Sequence, residues 1–583
     1  MGVYMVVIGI NMGQTQSGMK LNDGGCCIIK DDKIFAISEE RVSRKKHDGG
    51  FKLSLPYCME AANVNYRDID CVVVSSCCEK PITKKPIIEN IPENKIIVCP
   101  SHHLSHAYST FMTSNFDEAI VMVIDNEGNV LDDRNELPFH KRTLEHMTYY
   151  IGNNDGIHFL ERDNISTDRI GVGDAYRYFT HYLGFPSYTY AGKTMGLAAY
   201  GNKQKYSDIK VFEMNKNCQI QCNIENDYFK CTEKVTSFLK ENSKQHFPEK
   251  RLPIDELNQE YADLAMLIQS ETEKILVEKV NYLIKKTGIK KLCIAGGVGL
   301  NSVANGVILK KTGIEEIYIV PAAGDTGQPL GNALYGCCKY IGHKKHYSIN
   351  NDYLGKEYSK DEISQSINNF LVSYNNIKVD EYKSDREKNL NVAKKIANGE
   401  VVCRFDGRSE FGPRALGNRS ILMDPRKAEN KDILNSRVKF REAFRPFAPV
   451  VLWENAKEYF DIMCETPYML IVSSVLKPDK IPAVTHVDNT ARVQTIKKKD
   501  NPGLYQIIEE FKNITGVPVL LNTSFNIAGE PIVESPQDAL NCFYNTDIDS
   551  IVIGNYIISK IEKATQPEMN AIQKFTISLG KEL

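Results

Sequence analysis

KLCIAGGVGLNSVANGVILKKTGIEEIYIVPAAGDTGQPLGNALYGCCKY, residues 291–340, changes its hydrophobic period several times within one short stretch. Lys291–Ala295 reads as a buried strand, Gly296–Gly299 as a tight loop and Asn301–Lys311 as a helix. Ile317–Val320 is a second strand, Ala322–Gly327 a second glycine loop and Gln328–Tyr340 a second helix. Strands and helices that alternate with glycines at their junctions make an α/β fold, because each helix must bury its apolar stripe on the sheet it follows.

Working outward, the same grammar recurs. Val3–Ile10 is a β-branched run ending in Asn11-Met12-Gly13, and Gly25–Lys30 and Lys33–Ser38 flank Asp31-Asp32 as a hairpin. Ala119–Ile124 is a strand that runs into Asp125-Asn126-Glu127-Gly128, and Met147–Ile151 pairs with Ile157–Leu160 around an Asn153–Gly156 turn. Apolar residues at helical spacing between Ile254 and Lys286 give one or two long helices stopped by Gly288. Residues 343–388, rich in Asn, Ser, Tyr, Lys and Asp, read as a connection. A second α/β unit follows, opening with helix Asn389–Asn398, strand Val401–Phe405 and a basic loop from Gly407 to Arg419. No internal repeat is visible in the sequence.

With 583 residues the chain is about four times the ~150-residue prior for one domain, so two or more cores are expected. Its 72 basic and 74 acidic residues leave a net charge of -2, which excludes the broad cationic surface of a protein built to hold nucleic-acid backbones. The 16 cysteines include the adjacent pairs Cys26-Cys27, Cys77-Cys78 and Cys337-Cys338 and no CxxC, a pattern of buried free thiols rather than a disulfide scaffold. The N-terminus lacks the layout of a secretory signal and no apolar run reaches ~20 residues, so a cytoplasmic protein with no membrane partner is expected.

Two constellations carry chemistry. In SHHLSHA, His102 and His106 stand four apart, which on a helix puts both imidazoles on one face; His103 and His106, three apart, offer a competing register. Asp125 and Asp325, each at a strand mouth, are the carboxylates expected to join them, a set suited to Fe(II), Mn or Zn. The second constellation is cationic. Arg414, Arg419, Lys439, Arg441, Arg445 and Arg492 lie among Gly, Pro, Phe and Ala rather than in a solvated charge run, and their convergence would make an anion pocket for a small phosphorylated ligand.

The loops GINMGQT, VIDNEG, GGVGLN and GDTG together resemble those of the actin/hexokinase-like (ASKHA) ATPase fold. EERVSRKKHDGGF, SHHLSHA, GKTMGLAAYG, AGGVGLNSVANG, GDTGQPLGNALYG, GRSEFGPRALGNRS, FRPFAP, PAVTHVDNTARVQT and NTSFNIAGEPIV, in this order, resemble the O-carbamoyltransferases of the NodU/CmcH type. The resemblance runs from about residue 7 to about residue 540. It implies an actin-like, threonylcarbamoyl-transferase-like domain over 1–350 and a YrdC-like domain over 351–583. The YrdC-like domain would make carbamoyl adenylate from ATP, with its Mg(II), and carbamoyl phosphate. The first domain would move the carbamoyl group onto a hydroxyl of a small natural product, such as an antibiotic, or of a sugar.

The resemblance further implies that His102, His106, Asp125 and Asp325 hold a divalent metal, Fe(II) being the family expectation. Arg414, Lys439, Arg445 and Arg492 would hold carbamoyl phosphate and nucleotide phosphates, with Asn522 and Ser524 beside them. Lys193, Gly296, Gly297 and Asn301 would border the first domain's nucleotide. One departure stands out: where many members carry a His-Asp pair, this chain has Asn22-Asp23, so Asp23 is either the substitute base or a turn residue before Gly24-Gly25. The implied partner is a small hydroxyl acceptor, with no nucleic acid and with room for a homodimer. The competing readings are a tRNA-modifying threonylcarbamoyl enzyme and a non-catalytic nucleotide-binding regulator.

Overall fold

Short β-branched runs set the strands of the computed structural model, which describes residues 5–15, 18–80, 85–131, 143–163, 169–342, 346–347, 349, 351–374, 376–442 and 444–561. These residues divide into two units. The first takes the chain up to Glu40 together with His47–Ile349; the second takes Arg41–Lys46 and the described residues beyond 350.

In the first unit, β1 (Val6–Asn11) is buried along its whole length, as a central strand covered on both faces must be. β2 (Gly25–Lys30) and β3 (Lys33–Ser38) extend from it as an antiparallel meander, while β4 (Cys71–Ser75) and β5 (Ile96–Val98) add in parallel on its other side. The sheet order is therefore β3-β2-β1-β4-β5. A second sheet repeats this connectivity. β6 (Ala119–Ile124), β7 (Met147–Asn153) and β8 (Gly156–Arg162) form the meander, a short ribbon of β9 (Phe212–Met214) and β10 (Ile220–Cys222) intervenes, and β11 (Lys291–Ala295) and β12 (Glu316–Ile319) pair in parallel beside β6. The expectation of no repeat thus fails at the level of topology: the duplication lies in strand order and direction, which side-chain identity does not have to record.

Helices cover the sheets by close approach. Gln328–Lys339 lies against β1 so closely that a Cβ on Gly9 would stand 1.9 Å from the Pro329 carbonyl oxygen, which is why that strand position is glycine. The long helix is one element, Gln259–Thr287, capped by Asn258 and closed by Gly288 in the left-handed region at φ 75°.

The second unit is built on an eight-stranded sheet. Its strands are β13 (Ile377–Glu381), β14 (Val402–Phe405), β15 (Arg419–Met423), β16 (Ala448–Leu452), β19 (Gln494–Ile496), β20 (Val519–Ser524), β21 (Ser550–Ile553) and β22 (Tyr556–Lys560), ordered β13-β22-β21-β14-β15-β20-β16-β19. β17 (Val472–Ser474) and β18 (Thr490–Arg492) form a separate ribbon. Helices Asp385–Ala397 and Pro502–Thr515 bury Val392, Ile396, Leu504, Ile508 and Phe511 in the core beneath the sheet.

The expected connection over 343–388 is partly regular. Lys360–Ser373 is a helix with a Ser359/Glu362 capping box, and the next helix starts at Asp385, its N-terminal turn being polar and so weak in hydrophobic period. All 16 cysteines are free thiols. No helix among the described residues is long and apolar enough to cross a membrane.

Candidate functional site

The helix His102–Phe111 settles the histidine register. Ser101 caps it by accepting from the Leu104 amide, and the four-residue spacing puts His102 and His106 on one face with ring centroids 4.8 Å apart. His103 points elsewhere, its Nδ1 2.8 Å from Thr148 Oγ1, and burial holds its pKa down at about 3. Asp125 follows β6, and its Oδ1 accepts from the amides of Asn126 and Gly297 at 2.8 and 3.1 Å. That leaves Oδ2 aimed at the imidazoles, 3.0 Å from His106 Nε2 and 3.5 Å from His102 Nε2. Asp325 opens the turn before the helix Gln328–Lys339, and its Oδ1 lies 3.2 Å from His102 Nε2 and 3.5 Å from His106 Nε2.

Both ring nitrogens of His102 and of His106, together with Asp125 Oδ2, are buried with no hydrogen-bond partner. Buried polar atoms are normally satisfied, so orphans gathered at one point call for a further partner. Donor atoms about 2.0–2.2 Å from a common cation at right to tetrahedral angles stand about 3.0–3.5 Å apart, the spacing seen here. The four donors therefore fit a divalent ion. Burial opposes charge on all four groups, yet the carboxylates raise both imidazoles and the imidazoles lower both acids, so each pair favours the other's charged form.

Asp23 does not stand alone. Its Oδ1 is 3.0 Å from His47 Nδ1, and the His47 amide donates to Glu40 Oε2 at 2.8 Å. Asp23 and His47 both have left-handed backbones, φ 60° and 56°, a conformation non-glycine residues adopt at a cost. Burial pushes the Asp23 carboxyl above its usual range against the pull of His47. Asn22 bonds Tyr188 Oη, and Asn11 Nδ2 donates to the carbonyls of Asp23 and Asp325 at 2.9 and 3.2 Å, tying this cluster to the metal-type cluster. Neither Glu40 nor His47 was singled out from the sequence; both sit in EERVSRKKHDGGF, where they read as part of a charged run.

Of the other residues expected in this unit, Gly297 serves Asp125 as above, and Gly296, at φ 88°, donates to the Ala323 carbonyl. A Cβ there would lie 2.2 Å from the Ile124 carbonyl oxygen. Gly296→Ala should therefore cost about 1–3 kcal/mol and lower the melting temperature; an unchanged melting curve would contradict this loop geometry. Asn301 spends its amide on capping the helix Ser302–Lys311 and on Gln269. Lys193 places its ammonium 4.2 Å from the Tyr190 ring centroid.

In the second unit, the cations sort into two groups. Arg419 is structural: although its Nε is buried without a partner, both terminal nitrogens donate to the Asp406, Gly407 and Asn418 carbonyls and the guanidinium stacks on Phe405 at 3.7 Å, so its expected place in the anion pocket is corrected. Lys439 is turned onto Ser524 and Asn526, donating to both carbonyls and both side chains. Arg414 and Arg492 each keep a buried Nε with no partner. Burial and neighbouring guanidiniums lower Arg414 to about 10 and Arg441 to about 9, and take Arg492 well down; Arg445 contributes to all three.

Cations that desolvate and repel one another are stable only if an anion completes them. Asn522 is tied to the residue that follows Arg414. Its Nδ2 donates to the Ala415 carbonyl and Gln494 Oε1, and its Oδ1 is buried without a partner. Ser524 Oγ donates to Asn526 Oδ1 at 2.6 Å. Inorganic phosphate at about 100 times its dissociation constant should stabilise the protein by about 2.7 kcal/mol, seen as a rise in melting temperature that Arg414→Ala abolishes. No shift in the wild type would contradict an anion site here.

The sequence matches known proteins along most of its length. Residues 16–94 and 78–334 match the family model described as carbamoyltransferase N-terminus, and residues 393–560 that described as carbamoyltransferase C-terminus. The nodulation protein NolNO of Sinorhizobium fredii is 32% identical over 94% of this chain and 80% of its own length. An uncharacterized protein of Synechocystis is 33% identical over 95% of this chain and 97% of its own. The 3'-hydroxymethylcephem-O-carbamoyltransferase of Amycolatopsis lactamdurans is 32% identical over 45% of this chain and 48% of its own. Among solved structures, HypF of T. kodakarensis covers 58% of this chain and 48% of its own at 13% identity, with a TM-score of 0.34.

Proposed function

We propose, from the premise that the chain belongs to the carbamoyltransferase family and is an enzyme of the transferase class, that it is an ATP-dependent O-carbamoyltransferase with two chemistries on one chain. The second unit, in this reading YrdC-like, hydrolyses carbamoyl phosphate to phosphate and carbamate. The carbamate oxygen then attacks the α-phosphorus of Mg(II)-bound ATP and pyrophosphate leaves. The first unit, in this reading actin/hexokinase-like, transfers the carbamoyl group of the resulting adenylate to a hydroxyl, releasing AMP and a proton. The repeated β1–β5 and β6–β12 connectivity supports the actin-like reading.

The observation that carries the proposal is the pair of buried, unpartnered guanidinium Nε atoms of Arg414 and Arg492 within a set of mutually repelling cations. Such a set is preorganised for phosphate oxygens and for charge that builds as the phosphoryl bonds exchange, so it costs no reorganisation when the reaction occurs. Arg445 belongs to the same set, while Lys439 fixes the Ser524–Asn526 turn beside it.

In the first unit His102, His106, Asp125 and Asp325 would hold a divalent ion, Fe(II) by the family expectation. When bound, such an ion supplies Lewis acidity toward a carbonyl oxygen. Asp23, with His47 and Glu40 against it, is placed to take the hydroxyl proton, and its raised pKa makes it a stronger base than a solvated carboxylate. The acceptor is a hydroxyl on a small molecule or sugar, and the name of the cephem-carbamoylating relative points first to a hydroxymethyl group.

Pyrophosphate release from ATP tests the reading. It should require carbamoyl phosphate and be indifferent to threonine with bicarbonate. Release supported by threonine and bicarbonate instead would overturn it.

A further inference from the structure

Resting on the carbamoyl phosphate reading above, a donor-reading group can be identified beside the cations. The turn that carries His486 back to β18 fixes its tautomer. The His486 amide donates to the Thr490 carbonyl at 2.8 Å, and Asn489 closes the turn by donating to the His486 carbonyl at 3.0 Å. Asp488 is an exposed carboxylate and can only accept; it takes both the Thr490 amide, at 3.1 Å, and the Thr490 hydroxyl proton, at 2.7 Å. With its proton committed, Thr490 Oγ1 can only accept from His486 Nδ1, 3.1 Å away. Nδ1 therefore carries the hydrogen, and Nε2 of the neutral ring carries the lone pair. Burial, together with Arg492 and Lys431, holds the His486 pKa at about 4 against the pull of Asp488, so the ring is neutral at physiological pH.

Nε2 is buried and unpartnered, as is Nε of Arg492, two residues beyond Thr490 in the same strand. A pocket of guanidiniums needs no hydrogen-bond acceptor for phosphate, which brings only acceptors of its own. His486 lies within electrostatic reach of Arg492, and a buried acceptor beside such cations is satisfied by a ligand that carries an N–H beside its charged oxygens. Carbamoyl phosphate has such a group in its NH2; acetyl phosphate, the same shape with a methyl, does not.

We propose that His486 Nε2 accepts a hydrogen bond from the carbamoyl NH2 and makes the second unit select carbamoyl phosphate over acyl phosphates that lack it, with Thr490 and Asp488 as positioning residues that hold the tautomer. Sites built to bond an N–H reject the analogue without it because their own buried acceptor is then left unpaired.

The test measures kcat/KM for pyrophosphate release from ATP with carbamoyl phosphate and with acetyl phosphate. The full-length wild type should prefer carbamoyl phosphate by about 100-fold or more. His486→Phe should lower that preference about 10-fold or more, chiefly through the carbamoyl phosphate KM, while competitive inhibition by inorganic phosphate is retained. His486→Gln, whose amide oxygen can still accept, should recover part of the preference. An unchanged preference in His486→Phe overturns the proposal. Should that variant fail to fold, Thr490→Val decides: it removes the group holding Nδ1–H, so an unchanged preference there overturns the proposal equally. If the wild type uses neither acyl phosphate, it is the adenylation reading that falls.

Discussion

An Arg492→Ala enzyme should release pyrophosphate from ATP and carbamoyl phosphate about 100- to 1,000-fold more slowly than the wild type, the loss expected when one preorganised donor to developing charge is removed. Burial first, and then the neighbouring Arg414, Arg441 and Arg445, depress Arg492 well below its usual value, which means that it is held in place despite desolvation and repulsion from all three. A guanidinium retained at such a cost is completed by bound anion, so its removal should depress both the apparent affinity for carbamoyl phosphate and the rate at saturation. Truncation also relieves like-charge repulsion in the free protein. The variant should therefore keep a melting temperature near that of the wild type while losing most of the phosphate-induced rise. Unchanged turnover would remove Arg492 from the donor site.

The second large effect lies in the other unit. His106→Ala removes the imidazole nearest Asp125 Oδ2, at 3.0 Å, and leaves that buried carboxylate oxygen facing a void. Bound divalent metal should fall from about one ion per chain to a small fraction, because loss of one of four ligands leaves an incomplete coordination set. Carbamoyl transfer to a hydroxymethyl-bearing acceptor should fall by at least about 100-fold, while the first turnover of pyrophosphate release stays within about twofold of wild type. Equal loss of both steps would point to a collapsed first unit, and full metal content would remove His106 from the ligand set.

The two sites differ in how far the sequence exposes them. The i,i+4 spacing of His102 and His106 is a local signal, since helical geometry alone puts both on one face, and Asp125 and Asp325 declare themselves as polar residues at the ends of apolar strands. The Gly25–Lys30 and Lys33–Ser38 hairpin was legible to the residue because β-branched runs flank an Asp-Asp turn. What stays hidden is pairing at long range. His47 meets Asp23 across 24 residues of chain, and nothing in KKHDGG distinguishes it from a solvated run. Arg419 and Arg414 look alike within GPRALGNRS, and each keeps a buried Nε without a partner; only the fold shows that Arg419 spends its terminal nitrogens on carbonyls, while burial and Arg445 depress Arg414. The repeated sheet is invisible for a related reason: strand order and direction are set by which edges meet, and many different side chains satisfy the same order.

The most direct test of two chemistries on one chain is a single-turnover quench of the His106→Ala enzyme with ATP and radiolabelled carbamoyl phosphate. The account predicts that label accumulates in an AMP-linked species, in step with pyrophosphate, and that a hydroxymethyl acceptor does not discharge it. Label that reaches the acceptor without ATP being cleaved, or ATP cleavage that leaves no label on AMP, would contradict it.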